Sequence, residues 1–140
     1  MFVLDTDHAS LYQQAHPALG ERLRTLPEPQ LAITVVSYEE QISGRLAVIN
    51  RARQPHERIQ AFFWLQQTLH FYCRMPILQF DQRAADYFQQ LAAQKLRIGT
   101  QDLLIAAIVI ANNATLLTRN TRDFQRVPGL LYEDWSIPLN

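Results

Sequence analysis

Cysteine is almost absent: Cys73 is the only one in 140 residues. That excludes an internal disulfide and a thiolate metal cluster, zinc ribbons included. Glycine is scarce, and Gly20, Gly44, Gly99 and Gly129 match none of the spacings that cradle a nucleotide's phosphates. Nucleoside triphosphate chemistry is disfavoured. Net charge is missing too, with 13 basic residues against 13 acidic, so the chain has no long-range field of the kind that marks many DNA-binding domains. Neutrality leaves RNA open. Lysine contributes only Lys95 to the basic set. The rest is arginine, the side chain suited to two-pronged contact with phosphate or carboxylate. No charge run, Ser/Gly tract or apolar stretch of transmembrane length interrupts the chain. Its first residues lack a basic leader and meet Asp5 too early for a signal peptide's apolar region. A cytoplasmic protein without a membrane partner is expected.

Hydrophobic residues make up 48% of the chain. That supports one domain over residues 1–140, burying about two-thirds of its unfolded surface. Phe2-Val3-Leu4 reads as a buried strand ending in an acidic turn, Asp5-Thr6-Asp7. Leu31 to Thr34 is a second β-rich run. From Val35 to about Ala52 the apolar spacing turns helical, which puts Glu40, beside Glu39, near the start of a helix. Pro55 to Tyr72 is also helical, and Phe62, Phe63, Trp64, Leu65, Leu69, Phe71 and Tyr72 exceed what one helix face buries. Part of that segment is expected to meet a partner. Pro76-Ile77-Leu78 is a candidate third strand, and Asp81 is a plausible N-cap for the helix after it. Thr100 looks like a further N-cap, placing Asp102 in the first turn of a helix through Ala111. Ala114 to Leu117 reads as a fourth strand, ended by the polar turn Thr118 to Asp123, and Leu130 to Tyr132 as a last extended piece. Strands alternating with helices predict a parallel α/β sheet, whose ligand sites lie beyond the carboxyl ends of its strands.

Asp5, Glu40, Asp102 and Asp123 fall at those ends. Two bare carboxylates about 4 Å apart repel by roughly 4 kcal/mol at an effective dielectric near 20, so a cluster of them calls for a cation. All-oxygen ligation without thiols suits Mg²⁺ or Mn²⁺. Such an ion activates water against a phosphodiester without a protein nucleophile, with a 5′-phosphate and a 3′-hydroxyl as the expected product ends. Each acid alone also has a plainer reading: turn former, helix cap, dipole partner or solvated face. Their joint placement favours chemistry. His8, His16, His56 and His70 pair with no Ser or Cys in a recognisable motif, so packing or surface roles are expected of them. Were the RNA's own 2′-hydroxyl the nucleophile, His8 would be the first candidate base.

Val3-Leu4-Asp5-Thr6-Asp7 resembles the opening motif of PIN domains. Ile33 to Gly44 is similar to their second motif, in which the acid lies four residues before a glycine, and that spacing selects Glu40 over Glu39. Ile98 to Ala107 resembles the third, with Asp102 opening an Ala-rich helix. Leu117 to Phe124, then Val127 to Leu130 and Glu133-Asp134-Trp135, resemble the fourth motif and its tail. The resemblance covers the whole chain. It implies a PIN-like three-layer α/β/α domain around a central parallel sheet, and a VapC-type endoribonuclease of a VapBC toxin–antitoxin pair. Such an enzyme cuts single-stranded or loop RNA with Mg²⁺ or Mn²⁺, is often a homodimer, and is inhibited by a VapB-like antitoxin. Asp5, Glu40, Asp102 and Asp123 would hold the metal, with Thr6, Asp7, Thr118 and Asn120 as supporting residues. Asp7 departs from the pattern, where Asn is commoner, and an extra acid there would tighten metal binding or raise a neighbour's pKa. Two other readings stand beside this one. A haloacid-dehalogenase-type phosphatase would also begin Asp5-Thr6-Asp7, but Lys95 is the only candidate for its supporting lysine and no adjacent acidic pair follows at a strand end. A non-catalytic interaction module on the PIN scaffold would be marked by loss of an acid, and all four are present.

Overall fold

In the computed structural model, which describes residues 1–27 and 30–139, five short strands make one wholly parallel sheet. They are β1 (Phe2–Leu4), β2 (Leu31–Thr34), β3 (Ile77–Leu78), β4 (Thr115–Leu117) and β5 (Leu131–Glu133), in the order β3-β2-β1-β4-β5. The order reverses at β1, so the crevice where an open parallel sheet takes its ligand lies at the carboxyl end of β1. The central strands β1, β2 and β4 read as largely apolar runs because both faces are covered. Val3 and its neighbour Leu116 point into one cluster, with Leu91, Ile105, Ile108 and Phe124. Leu4, Ile33 and Leu117 point into the other, with Leu19, Phe71, Tyr72 and Trp135. That gives the three α/β/α layers expected from the sequence.

The helices are α1 (Thr6–Gln13), α2 (Pro17–Arg24), α3 (Val35–Arg51), α4 (Pro55–Arg74), α5 (Gln82–Ala93), α6 (Thr100–Ala111) and α7 (Thr121–Phe124). Three N-caps are short polar side chains at strand or loop ends. Asp5 accepts from His8 N at 2.7 Å, Thr34 from Ser37 N at 3.1 Å and Asp81 from Ala84 N at 3.0 Å. Helix α6 is apolar nearly all round and correspondingly buried, from Leu103 to Ala111. The chain turns at Asn113, which adopts a left-handed φ of 51°, and enters β4. Because α6 runs back along the strand it feeds, its first turn lies at the carboxyl edge of the sheet. Among the described residues no helix is long and apolar enough to cross a membrane.

Three local expectations are corrected. Asp5-Thr6-Asp7 is no turn, because Asp5 caps α1 and Thr6 and Asp7 are its first residues. Thr100 is the first helical residue of α6, and the N-cap is Gly99. The stretch from Thr118 to Asp123 is not all turn: it contains the start of α7, whose bounds hold Asp123 in its first turn.

Candidate metal centre

Each of the four acids reaches the carboxyl edge by a different route. Asp5 follows β1 directly, is buried, and is fixed through its Oδ1 by the cap bond to His8 N. Glu40 comes from the second turn of α3, just past β2, and its Oε1 accepts from Thr6 Oγ1 at 2.7 Å. Thr6 Oγ1 also lies 3.0 Å from Ser37 Oγ, so α1 and α3 are tied together beside the two acids. Asp102 opens α6, and Asp123 sits in α7. Asn120 connects these two, its Nδ2 donating to Asp123 Oδ2 at 3.0 Å and reaching Asp102 Oδ2 at 3.5 Å. Asn120 is itself held where its N–H donates to Oγ1 of the buried Thr118, at 2.9 Å. Arg126 donates to the other oxygen of Asp123 at 3.0 Å. Thr6, Thr118 and Asn120 thus each make a hydrogen bond at this edge.

Electrostatics brings the four together. The Asp102 carboxyl is pushed from 3.8 up to about 6, first by burial, then by the charges of Glu40, Asp5 and Asp123, against the lowering hydrogen bond from Asn120. Glu40 also adds to the burial that drives the Tyr72 hydroxyl upward. Among the described residues, however, no three Asp, Glu, His or Cys side chains already stand as a ready-made metal cage. Glu40 leans to Thr6, Asp123 to Asn120 and Arg126, and Asp5 to the start of α1. The donor set nevertheless fits a hard divalent cation, being carboxylates whose charges converge on Asp102, without a thiol.

Asp7 stands apart from that set. Its carboxylate is clasped by Arg119, Nε at 2.7 Å and Nη2 at 3.3 Å, in a half-exposed pair. Asp7 is not among the charges that raise Asp102; it is engaged by Arg119 instead. Glu39 is likewise engaged elsewhere, accepting from Gln101 Nε2 at 2.8 Å.

His8 was expected to pack or lie on the surface, and it packs. Its ring is fully buried, with Nε2 accepting from the Trp135 N–H at 3.3 Å and Nδ1 3.6 Å from Asp5 Oδ1. Asp134 Oδ1 lies 3.7 Å from Nε2. The tail that resembles the end of the fourth motif is therefore hydrogen-bonded to an imidazole that packs beside the first acid, while the ring's Nδ1 makes no hydrogen bond. This link was not visible in the sequence, where 126 positions separate His8 from Asp134.

A model of the PIN domain family matches residues 3–130. Over 69 residues the chain is 41% identical to Ribonuclease VapC2 of Rickettsia felis, an alignment covering 46% of this chain and 52% of that protein. Over nearly full length, 96% of this chain and 98% of the other, it is 28% identical to the tRNA(fMet)-specific endonuclease VapC of Shigella flexneri. Among solved structures, VapBC2 from Rickettsia felis bound to a DNA fragment from their promoter superposes with a TM-score of 0.75 at 28% identity, covering 96% of this chain and 98% of that one.

Proposed function

The chain belongs to the PIN domain family, and on that premise we propose that residues 1–140 act as one PIN domain: a divalent-metal-dependent endoribonuclease, the toxin of a type II toxin–antitoxin pair. The observation that carries this reading is that the charges of Glu40, Asp5 and Asp123 all bear on the partly buried Asp102 at the sheet's carboxyl edge. Those four would hold Mg²⁺ or Mn²⁺. Bound there, the ion polarises a phosphodiester and lowers the pKa of water, which is what hydrolysis requires. The chain's own part is positional. Thr6 aims Glu40, Asn120 aims Asp102 and Asp123, and the α1 cap fixes Asp5. Relatives named ribonuclease or endonuclease support RNA as the substrate. The test is cleavage of initiator tRNA, as a probe, with Mn²⁺ present. Wild type is expected to cut, and Asp5→Asn to lose activity by on the order of a thousandfold while remaining folded. Equal cleavage by the two proteins would overturn the assignment.

The partner reading draws on α4. Of the seven large side chains singled out there, Phe71 and Tyr72 are buried, but Phe62, Phe63, Trp64 and Leu69 remain about half exposed, with Ile59 more so. A VapB-like antitoxin or a second copy of the chain would cover that face, a reading favoured by the structural likeness to a VapBC complex. Full burial of a Phe side chain contributes about 1.5 to 3 kcal/mol. Phe62→Ser with Phe63→Ser is expected to weaken antitoxin binding or self-association about a hundredfold, read by calorimetry and light scattering, with RNA cleavage retained. Unchanged affinity and unchanged mass would show that this face is no interface.

A further inference from the structure

Beside the acids, the outer surface of α3 carries a feature that neither the fold nor the metal requires. Glu40 and Thr6 line a cavity of about 320 Å³ together with Ser10, Gln41, Gly44 and Arg45. Arg45 is also in the wall of two adjoining cavities, of about 200 and 400 Å³, where it meets Trp64. One arginine thus stands where the space by the acids continues over α4.

The guanidinium is held in place from two sides. Its Nε donates to Oγ1 of the buried Thr68 at 3.0 Å, and its carbon lies 5.5 Å from the Trp64 ring centroid. Thr68 Oγ1 in turn donates to the Trp64 carbonyl at 2.8 Å, so the acceptor is fixed as well. Among the described residues no carboxylate pairs with Arg45, whereas Arg22, Arg119 and Arg126 each have one. An arginine whose plane is set by a hydroxyl and an indole, with its two terminal nitrogens uncommitted to an acid, is organised for an anion.

Gly44 points the same way independently. Glycine inside a helix costs about 0.5 to 1 kcal/mol against alanine, and a Cβ at this position would meet nothing within 4 Å. Packing does not demand it. A bare stretch of helix surface next to Arg45, in the cavity that Glu40 lines, leaves room for a ligand backbone to lie close.

We propose that Gly44 and Arg45, with Thr68 and Trp64 as positioning residues, form a subsite for a backbone phosphate of the RNA strand that runs on from the acids. The subsite rests on the nuclease reading above and deepens it. Arg45 takes the phosphate through its terminal nitrogens, Gly44 admits the sugar–phosphate chain, and Trp64 keeps the guanidinium plane facing the cavity. The strand's negative charge complements an arginine that no acid neutralises, while the four carboxylates beyond it are left to the cation.

Two measurements on the full chain separate this subsite from the nuclease reading. Fluorescence anisotropy of labelled initiator tRNA in EDTA reads binding without cleavage. Arg45→Ala is expected to weaken it about tenfold near physiological salt and to reduce the magnitude of the log–log salt slope by about 0.7 to 0.9, the signature of one lost phosphate contact. Arg45→Lys, which keeps the charge but not the fork, should restore the slope and only part of the affinity. In the presence of Mn²⁺, Arg45→Ala should raise KM about tenfold with kcat at saturating RNA unchanged, the reverse of the kcat loss expected for Asp5→Asn. Gly44→Ala should raise KM as well while raising the melting temperature, a combination that damage to the fold would not produce. An unchanged salt slope and KM for Arg45→Ala beside an active wild type would overturn the subsite and leave the nuclease standing. Loss of antitoxin binding with RNA binding intact would overturn it in favour of a protein surface. If the wild type does not cleave, the nuclease reading falls, and the EDTA binding series still decides the subsite.

Discussion

Asp102→Asn is expected to abolish RNA cleavage to within about a thousandth of wild type and, in EDTA above pH 7, to make the protein more stable. The two effects share one cause. In the folded protein the Asp102 carboxyl titrates at about 6, against 3.8 ordinarily, because burial and then Glu40, Asp5 and Asp123 oppose its charge. The folded state therefore holds this proton more tightly than the unfolded chain does. The stability so contributed is complete below about pH 4 and is lost as pH rises through about 6. At pH 8 the wild type carries the whole penalty, and an uncharged Asn escapes it. A shift of this size corresponds to about 3 kcal/mol at most, and the half-exposed side chain leaves about 1 to 2 after solvent screening. Melting in EDTA at pH 8 should rise by about 3 to 6 °C for the variant, and the difference should vanish at pH 4. Mn²⁺ should reverse the order by stabilising wild type through mass action more than the variant. A variant that melts lower than wild type in EDTA at pH 8 would contradict the electrostatic account of the cluster.

The parts of the fold that were legible in the sequence are those with a strong apolar signal. The central strands are short apolar runs such as Phe2-Val3-Leu4 and Thr115-Leu116-Leu117, largely buried and followed closely by polar residues, whereas the edge strands β3 and β5 are partly exposed. Helices α3 to α6 announce themselves by spacing or by caps such as Asp81. Helices α1 and α2 were missed because each is eight residues long with little apolar content. Their starts also rest on caps that mislead: Asp5, which also ends a strand, and His16, whose ring Nδ1 accepts from Leu19 N at 3.4 Å. Gly99 caps α6 without any side chain, so the neighbouring Thr100 drew the assignment. For the candidate site, the four acids and their supporters were legible as ordered motifs, but their geometry was not. That Asp7 is paired with Arg119, and that Arg45 is set by Thr68 and Trp64, depends on how segments 112 and 23 residues apart pack together. Periodicity within one helix carries no information about such pairs.

The packing of His8 bears most directly on the chemistry, because it leaves one route to RNA cleavage without its first candidate base. Attack by the 2′-hydroxyl needs a base within hydrogen-bond reach of that hydroxyl. The His8 ring is fully inaccessible, its Nε2 is occupied by the Trp135 N–H, and its Nδ1 faces Asp5 from inside the domain. Another ring, His16, is engaged in capping α2. Under the metal–water reading proposed above, attack by water on phosphorus in line with the 3′-oxygen would leave a 3′-hydroxyl on one fragment and a 5′-phosphate on the other. Two consequences are measurable. EDTA should lower cleavage by on the order of a thousandfold, recoverable with Mg²⁺ or Mn²⁺. A substrate carrying a 2′-deoxyribose at the cleaved position should still be cut, because its 2′-hydroxyl takes no part in bond breaking. Products can be read by mass, since a 2′,3′-cyclic end is one water lighter than the corresponding phosphate. Cyclic ends, full activity in EDTA, or complete protection by the single deoxy substitution would each return the reaction to the 2′-hydroxyl and require a base other than His8.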